Sequence, residues 1–250
     1  MYDLSGLGTN RIDEVINDWK ELRTRMHVTE DPAYLHHHGK PLVAVWGVGF
    51  NDGRRYTLDE CKRLVAFFKG DGCSVMLGVP TWFRELSHDS VKDPALHEVI
   101  QMADVVSPWM VGRYKDSTQA TNHAEKVWKQ DLSWCAERKV DFLPVVFPGF
   151  SWFNMTGRQF DSVPRARGDF LWSQFIGAKR AGATMIYVAM FDEVDEGTAI
   201  FKCTNDVPVG EAVKFLTLEG LPSDFYLKLT GAGAKFLRGE IGNDFPLPRP

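Results

Sequence analysis

Long apolar runs are missing from this 250-residue chain. No stretch approaches the roughly 20 residues that a membrane-spanning helix needs. Cysteine is scarce as well. The four thiols, Cys61, Cys73, Cys135 and Cys203, form no CxxC pair and no framework spacing, which predicts reduced, partly buried side chains rather than a disulfide scaffold. Neither sign of charge dominates, with 29 basic against 33 acidic residues and a net charge of −4. There is thus no electrostatic case for nucleic acid or an anionic membrane as partner. The opening MYDLSGL has no basic segment followed by an apolar one, so no signal peptide is visible there. Gly47 and Gly49 in WGVGF fall on a predicted strand with no third glycine opening a helix, which excludes a dinucleotide fingerprint. No linker or low-complexity segment interrupts the chain, and residues 1–250 are expected to form one domain.

What is present alternates regularly. MYDLSG, PLVAVWGVGF (41–50), SVMLGVPTW (74–82), DVVSPWMVG (104–112), FLPVVFPGFSW (142–152) and TMIYVAMF (184–191) read as strands. Their near-continuous apolar character predicts a parallel sheet buried on both faces. Between them lie helical patterns. Ile12, Val15, Ile16, Trp19 and Leu22 recur at three- and four-residue spacing. Thr57-Leu-Asp-Glu60 is a capping box for a helix through about Lys69. Asp93-Pro94 predicts the N-cap and first residue of a short helix. Helices are also expected over about 117–138, over 169–180, and from a Ser223 cap to about Arg238. The tail FPLPRP reads as an extended end. The whole is a βα unit repeated six times, an α/β fold of parallel (β/α) barrel type, possessing fewer than the eight units of a complete TIM barrel.

In such folds the chemistry lies beyond the carboxyl ends of the strands. Those positions hold Asp3, Trp46, Phe50, Asn51, Asp52, Trp82, Phe83, Arg84, Trp109, Arg113, Tyr114, Phe150, Trp152 and Asn154. Four of these strand ends carry an aromatic, and each pairs it with a polar or charged group. Sugars offer a CH face and a rim of hydroxyls, which suits that combination. We therefore take Asp3, Trp46, Trp82, Trp109, Arg113, Tyr114, Trp152, Asn154 and Asp192 as candidate sugar contacts.

The sixth strand ends in MFDEVDEGT, with four acids in five positions. Glycoside hydrolysis needs one protonated carboxyl and one carboxylate, and Glu193 and Glu196 are candidates. Crowding among carboxylates raises a pKa and keeps one of them protonated near neutral pH. Three residues of extended strand span about 10 Å, so the pair meets only if the chain leaves the strand near Glu193 and curls back; Gly197 permits that bend. Spacing alone leaves open a solvated acidic turn, and less readily a calcium loop, which lacks here the alternating oxygen ligands of an EF-hand.

GKPLVAVWG, VFPGFSW, PRARGDFLWSQ (164–174) and above all FDEVDEGT resemble glycoside hydrolase family 99 and its family 71 relatives. The resemblance runs over nearly the whole chain. It implies a retaining, endo-acting α-mannosidase-like enzyme on a barrel scaffold, without a cofactor or metal, acting on an oligosaccharide or polysaccharide. By the same resemblance Glu193 is the base that takes the proton of the sugar 2-hydroxyl, and Glu196 the acid that protonates the leaving group and then activates water. Val194-Asp195 stands between them where the family's mannosidases usually have Trp-His. MYDLSG is similar to the family's third strand, which implies that the first two βα units have no counterpart. Open sheet edges would then be covered by self-association.

The opposing reading is a carbohydrate-binding or truncated barrel protein without turnover, and a third is a metal-dependent hydrolase. His36-His37-His38 precedes a strand and is expected to be a solvated turn, because consecutive histidines diverge and make a poor tetrahedral set. The sequon Asn154-Met155-Thr156 has no secretion signal to support it. Arg165 and Arg167 read as solvated loop residues.

Overall fold

The computed structural model describes residues 1–208, 210 and 212–242; the FPLPRP tail lies outside them. In chain order the elements are β1 (Tyr2–Asp3), α1 (Ile12–Thr24), β2 (His36–His37), β3 (Lys40–Trp46), α2 (Leu58–Gly70), β4 (Ser74–Val79), α3 (Ala95–Met102) and β5 (Val105–Pro108). Then follow α4 (Ser117–His123), α5 (Lys129–Glu137), β6 (Asp141–Phe142), β7 (Val145–Val146), α6 (Phe153–Thr156), α7 (Asp169–Ala181), β8 (Tyr187–Val188) and α8 (Phe225–Leu237). The parallel βα alternation expected from the sequence is present. Among the described residues its strands form two ladders rather than one closed ring, β1-β3-β4-β5-β6 with β2 added antiparallel to β3, and β7-β8. No helix of the described residues is long and apolar enough to cross a membrane.

The chain divides into two compact units, Met1–Trp109 with Ser133–Phe142, and Met110–Leu132 with Leu143–Pro250. It passes from one to the other three times. In the first unit β3, β4 and β5 pair in parallel, with Val45 opposite Leu77 and Leu77 opposite Val106. All six residues of β4 are buried, which is why its sequence shows no alternation. The thiols behave as small apolar groups. Cys61, Cys73 and Cys135 are buried, Cys203 is partly so, and none is disulfide-bonded.

Helix α2 opens on the capping box that its sequence predicts. Thr57 Oγ1 accepts from the Glu60 N–H while the Glu60 carboxylate accepts from the Thr57 N–H. It then buries Leu64, Val65 and Phe68 on one face. Each such side chain contributes about 1.5–3 kcal/mol when removed from water.

The second unit is built around Gln174, which is fully buried on α7. Its amide donates to the carbonyls of Phe147 and Phe170, and its Oε1 accepts from the Phe147 N–H and from the Tyr114 hydroxyl, both at 3.0 Å. Phe147, Phe170 and Tyr114 pack their rings around it.

Several boundaries differ from the sequence reading. The run 142–152 is not one strand, because Pro144 offers no N–H and separates β6 from β7. The second strand ends at Trp46, where Gly47 turns the backbone to φ 110. The cap of α3 is Pro94 rather than Asp93, although the Asp93 carboxylate still accepts from the Ala95 N–H. Helix α8 is capped at Asp224, not Ser223, without a side-chain bond.

The three histidines are only in part the solvated turn expected, since His36 and His38 are exposed and His38 lies in a turn, while His37 is not solvated. His36 and His37 form β2, and His38-Gly39, both at positive φ, make a two-residue hairpin into β3. His37 is mostly covered, its side chain 12% exposed.

Candidate functional site

The acidic segment belongs to the second unit, and its conformation follows from backbone bonds. After β8 the chain passes a cis Ala189–Met190 peptide and folds back on itself. The Glu193 carbonyl accepts from the N–H groups of both Thr198 and Ala199, and Gly197 N–H donates to the Val194 carbonyl. Met190 and Phe191 bond to Thr198, Ile200 and Phe201 across the bend. Gly197 sits at φ 71, and a Cβ there would lie 2.5 Å from Leu216 Cδ1, so the bend requires glycine. The curl that the sequence made a condition is therefore present.

Three outside groups pin the same segment. Ser151 N–H donates to the Glu196 carbonyl at 2.7 Å. Asn154 Nδ2 donates to the carbonyls of Asp195 and Lys214, while its Oδ1 accepts from the Lys214 N–H. Arg165 Nη2 donates to the carbonyls of Gly197 at 2.9 Å and Ala199 at 2.8 Å. Arg165 is 4% exposed, and its guanidinium lies 4.6 Å from the Tyr226 ring centroid. It is a buried tie rather than the solvated loop residue that its charge suggested. Arg167 is exposed and bonds the Glu219 carbonyl.

The two glutamates differ electrostatically. Both are half-buried, and burial is the largest influence on each. For Glu196, burial followed by the charges of Glu193 and Asp195 pushes the carboxyl up to about 7. Glu193 is also raised, by burial and then by Asp195, but the Thr198 hydroxyl pulls it back down. That hydroxyl is 3.5 Å from Glu193 Oε2 and 3.3 Å from the Glu193 carbonyl. The Thr198 hydroxyl beside the Glu193 carboxylate, and the burial and neighbouring charges that raise Glu196, favour charge on Glu193 and a proton on Glu196. Asp192 and Asp195 are exposed. Tyr187 on β8 is a neighbour the sequence reading missed. Burial raises its hydroxyl, and the Glu193 charge raises it further.

Trp152 is partly exposed and packs edge-on against Phe150, at 4.7 Å between centroids. The Trp152 backbone N–H donates to Ser162 Oγ. Arg113 is exposed. Tyr114 departs from expectation. It is 2% exposed, with its hydroxyl committed to Gln174, and it serves the core of the unit rather than a rim. Asn154 spends both ends of its amide on backbone and so positions the acidic segment.

The first unit carries its own aromatic group at the strand carboxyl ends. Trp46 packs on Phe50 at 4.9 Å and edge-on to Trp109 at 5.5 Å. Gly78 on β4 makes room for it, since a Cβ there would meet Trp46 Cδ1. The Trp46 indole N–H is buried with no hydrogen-bond partner among the described residues. Arg54, which the sequence reading passed over, lies 5.2 Å from the centroids of both Trp46 and Phe50 and bonds Asp52 through two nitrogens. A cavity of about 230 Å³ lies beside it, lined in part by Phe50, Asn51, Tyr56 and Thr57. Trp82 contacts His88, and Asp3 is exposed with its carboxylate accepting from the Ser5 N–H.

No family model and no curated protein matches this sequence. Solved structures do. The GH99 endo-α-mannosidase from Bacteroides thetaiotaomicron aligns with a TM-score of 0.67 and 19% identity, covering 91% of this chain and 63% of that one. A structure of that enzyme in complex with bis-tris-propane aligns at 0.65 and 19% identity, over 91% of this chain and 67% of that one. A glycoside hydrolase-like protein aligns at 0.55 and 16% identity, over 88% and 61%. The chain thus spans less than two thirds of the first of these proteins. It has the TIM-barrel-like fold of a glycoside hydrolase, and the match in fold is to GH99 endo-α-mannosidase.

Proposed function

We propose that this chain is a retaining glycosidase acting on α-linked, mannoside-like glycans, with Glu193 as base and Glu196 as acid/base. The observation that carries the reading is the unequal environment of the two carboxyls. Glu196 is held near 7 by burial and by the charges of Glu193 and Asp195, whereas Thr198 favours the ionised form of Glu193. An acid of about 7 beside a carboxylate suits proton donation and acceptance at neutral pH.

In the first step Glu193 accepts the proton of the sugar 2-hydroxyl, and the freed oxygen attacks the anomeric carbon. The bond to the leaving oxygen breaks as Glu196 delivers its proton there. A 1,2-anhydro sugar results. Water then opens that ring at the anomeric carbon, giving its proton to Glu196, while Glu193 returns its proton to the 2-oxygen. Two inversions leave the configuration unchanged, and both carboxyls regain their starting states. No cofactor enters. Arg113, Trp152 and Asp192 are offered as sugar contacts in the second unit, which carries the two glutamates; Asp3, Trp46, Trp82 and Trp109 are offered as sugar contacts of the first unit by itself.

The test is a substrate that lacks the reacting group. A 2-deoxy analogue of an α-linked mannan oligosaccharide is bound but not cleaved, while the parent sugar is cleaved and its first product has the α configuration. Cleavage of the 2-deoxy analogue at a comparable rate contradicts the assigned role of Glu193. Binding of the parent without any release of reducing ends makes the chain a carbohydrate-binding protein. We also propose self-association over the sheet edges, where β1 and β6 are two residues each; a monomer at all concentrations in size-exclusion chromatography contradicts it.

A further inference from the structure

At the amino ends of the first unit's strands, two imidazoles and a carboxylate converge. Adjacent residues in a strand point to opposite faces, so His37 and His38 would diverge if β2 simply continued. Instead His38 takes φ 48 and Gly39 φ 74, the two-residue hairpin geometry. A non-glycine residue in that region is disfavoured, and here the strained turn swings the second ring beside the first, 4.1 Å between centroids. His37 Nε2 and His38 Nε2 each lie 2.9 Å from the same oxygen, Asp141 Oδ2. Asp141 opens β6, 104 residues from His37. The three ligand atoms all fall within 4.8 Å of one another.

We propose that His37, His38 and Asp141 bind a divalent transition-metal ion of the zinc type, which ties the β2–β3 hairpin to β6 beneath the sheet. Three protein ligands of N, N and O character with a fourth position left to water form a known zinc arrangement. Tetrahedral bonds of about 2.0–2.1 Å place ligand atoms about 3.4 Å apart. Each nitrogen now lies 2.9 Å from the oxygen, so a shift of about half an ångström opens that distance to fit, and His38, 77% exposed, is free to make it. The other nitrogen of His37 already has a partner. Nδ1 is 2.8 Å from Ser74 Oγ, on a serine that is 1% exposed at the start of β4. When His37 donates Nδ1–H to that oxygen, Nε2 presents its lone pair to the ion, the outer contact typical of metal-bound histidine. His36 takes no part; its Nδ1 bonds the Tyr34 carbonyl.

The test uses the full chain stripped with a chelator, titrated with ZnCl2 by calorimetry and followed by thermal melting. One equivalent of Zn2+ is expected to bind, and a hundredfold excess over Kd raises the melting temperature by roughly 5 °C. His38→Ala, at an exposed position, is expected to weaken Zn2+ binding at least tenfold while the stripped protein still folds and melts cooperatively, and Asp141→Asn does likewise. His36→Ala is expected to bind as tightly as the parent. Absence of a one-to-one Zn2+ complex overturns the proposal. So does unaltered binding by His38→Ala, and so does a loss in His36→Ala equal to that in His38→Ala, which marks an unstructured histidine run.

Discussion

Arg165 donates through Nη2 to the carbonyl of Gly197 at 2.9 Å, one residue past Glu196, from a position that is itself 4% exposed. The same nitrogen serves Ala199, so one buried cation fixes the return limb of the acidic bend. Replacement by methionine leaves two carbonyls without that donor. Arg165→Met is expected to lower stability by about 2–4 kcal/mol in urea unfolding. Arg165→Lys should recover less than half of the loss, because an ammonium cannot reproduce the planar fork.

Gly197 is the second structural condition. At φ 71, with Leu216 Cδ1 2.5 Å from the position of a Cβ, alanine there meets both backbone strain and a clash. Gly197→Ala should destabilise by about 1–3 kcal/mol. Adding Leu216→Ala removes the clash and leaves the strain, so the double variant should be less destabilised than the sum of the two single changes. Strict additivity in thermal unfolding would show that the two residues do not meet.

Glu196 also gives a pH signature. Its ordinary value is 4.5 and burial, with Glu193 and Asp195, carries it to about 7 in the folded chain. Between those values the folded chain holds a proton that the unfolded chain has released. Stability contributed by this group therefore falls as pH rises from about 4.5 to about 7 and is level above that. The urea midpoint of Glu196→Gln should lose that part of the slope, so the variant gains on the parent at pH 8 relative to pH 5. Turnover should decline on the alkaline side with an apparent value near 7, belonging to the coupled pair of carboxyls.

Much of this architecture was legible beforehand, for local reasons. The α2 capping box, the stripe of Ile12, Val15, Ile16 and Trp19 on α1, and the unbroken apolar β4 each carry their signal within a few residues. The bend at Gly197 was legible because only glycine tolerates its backbone. What escaped depends on partners distant in sequence. Arg165 reads as a surface charge until the carbonyls of Gly197 and Ala199, more than 30 positions away, are placed against it. Tyr114 follows a strand as a rim residue would, yet the Gln174 amide, 60 positions on, draws it inward. The histidines diverge in an ideal strand and converge only through the left-handed turn at His38-Gly39.

The central claim is that Glu193 and Glu196 are a working acid/base pair, and Glu196→Gln tests it most directly. We would compare initial rates of parent and variant on an unactivated α-linked mannan and on an aryl α-mannoside whose leaving group needs no proton, checking fold by circular dichroism. The account predicts a loss of roughly 10²–10⁴-fold on the mannan, a much smaller loss in formation of the aryl leaving group, and an unchanged fold. Equal turnover of the mannan by parent and variant would contradict it.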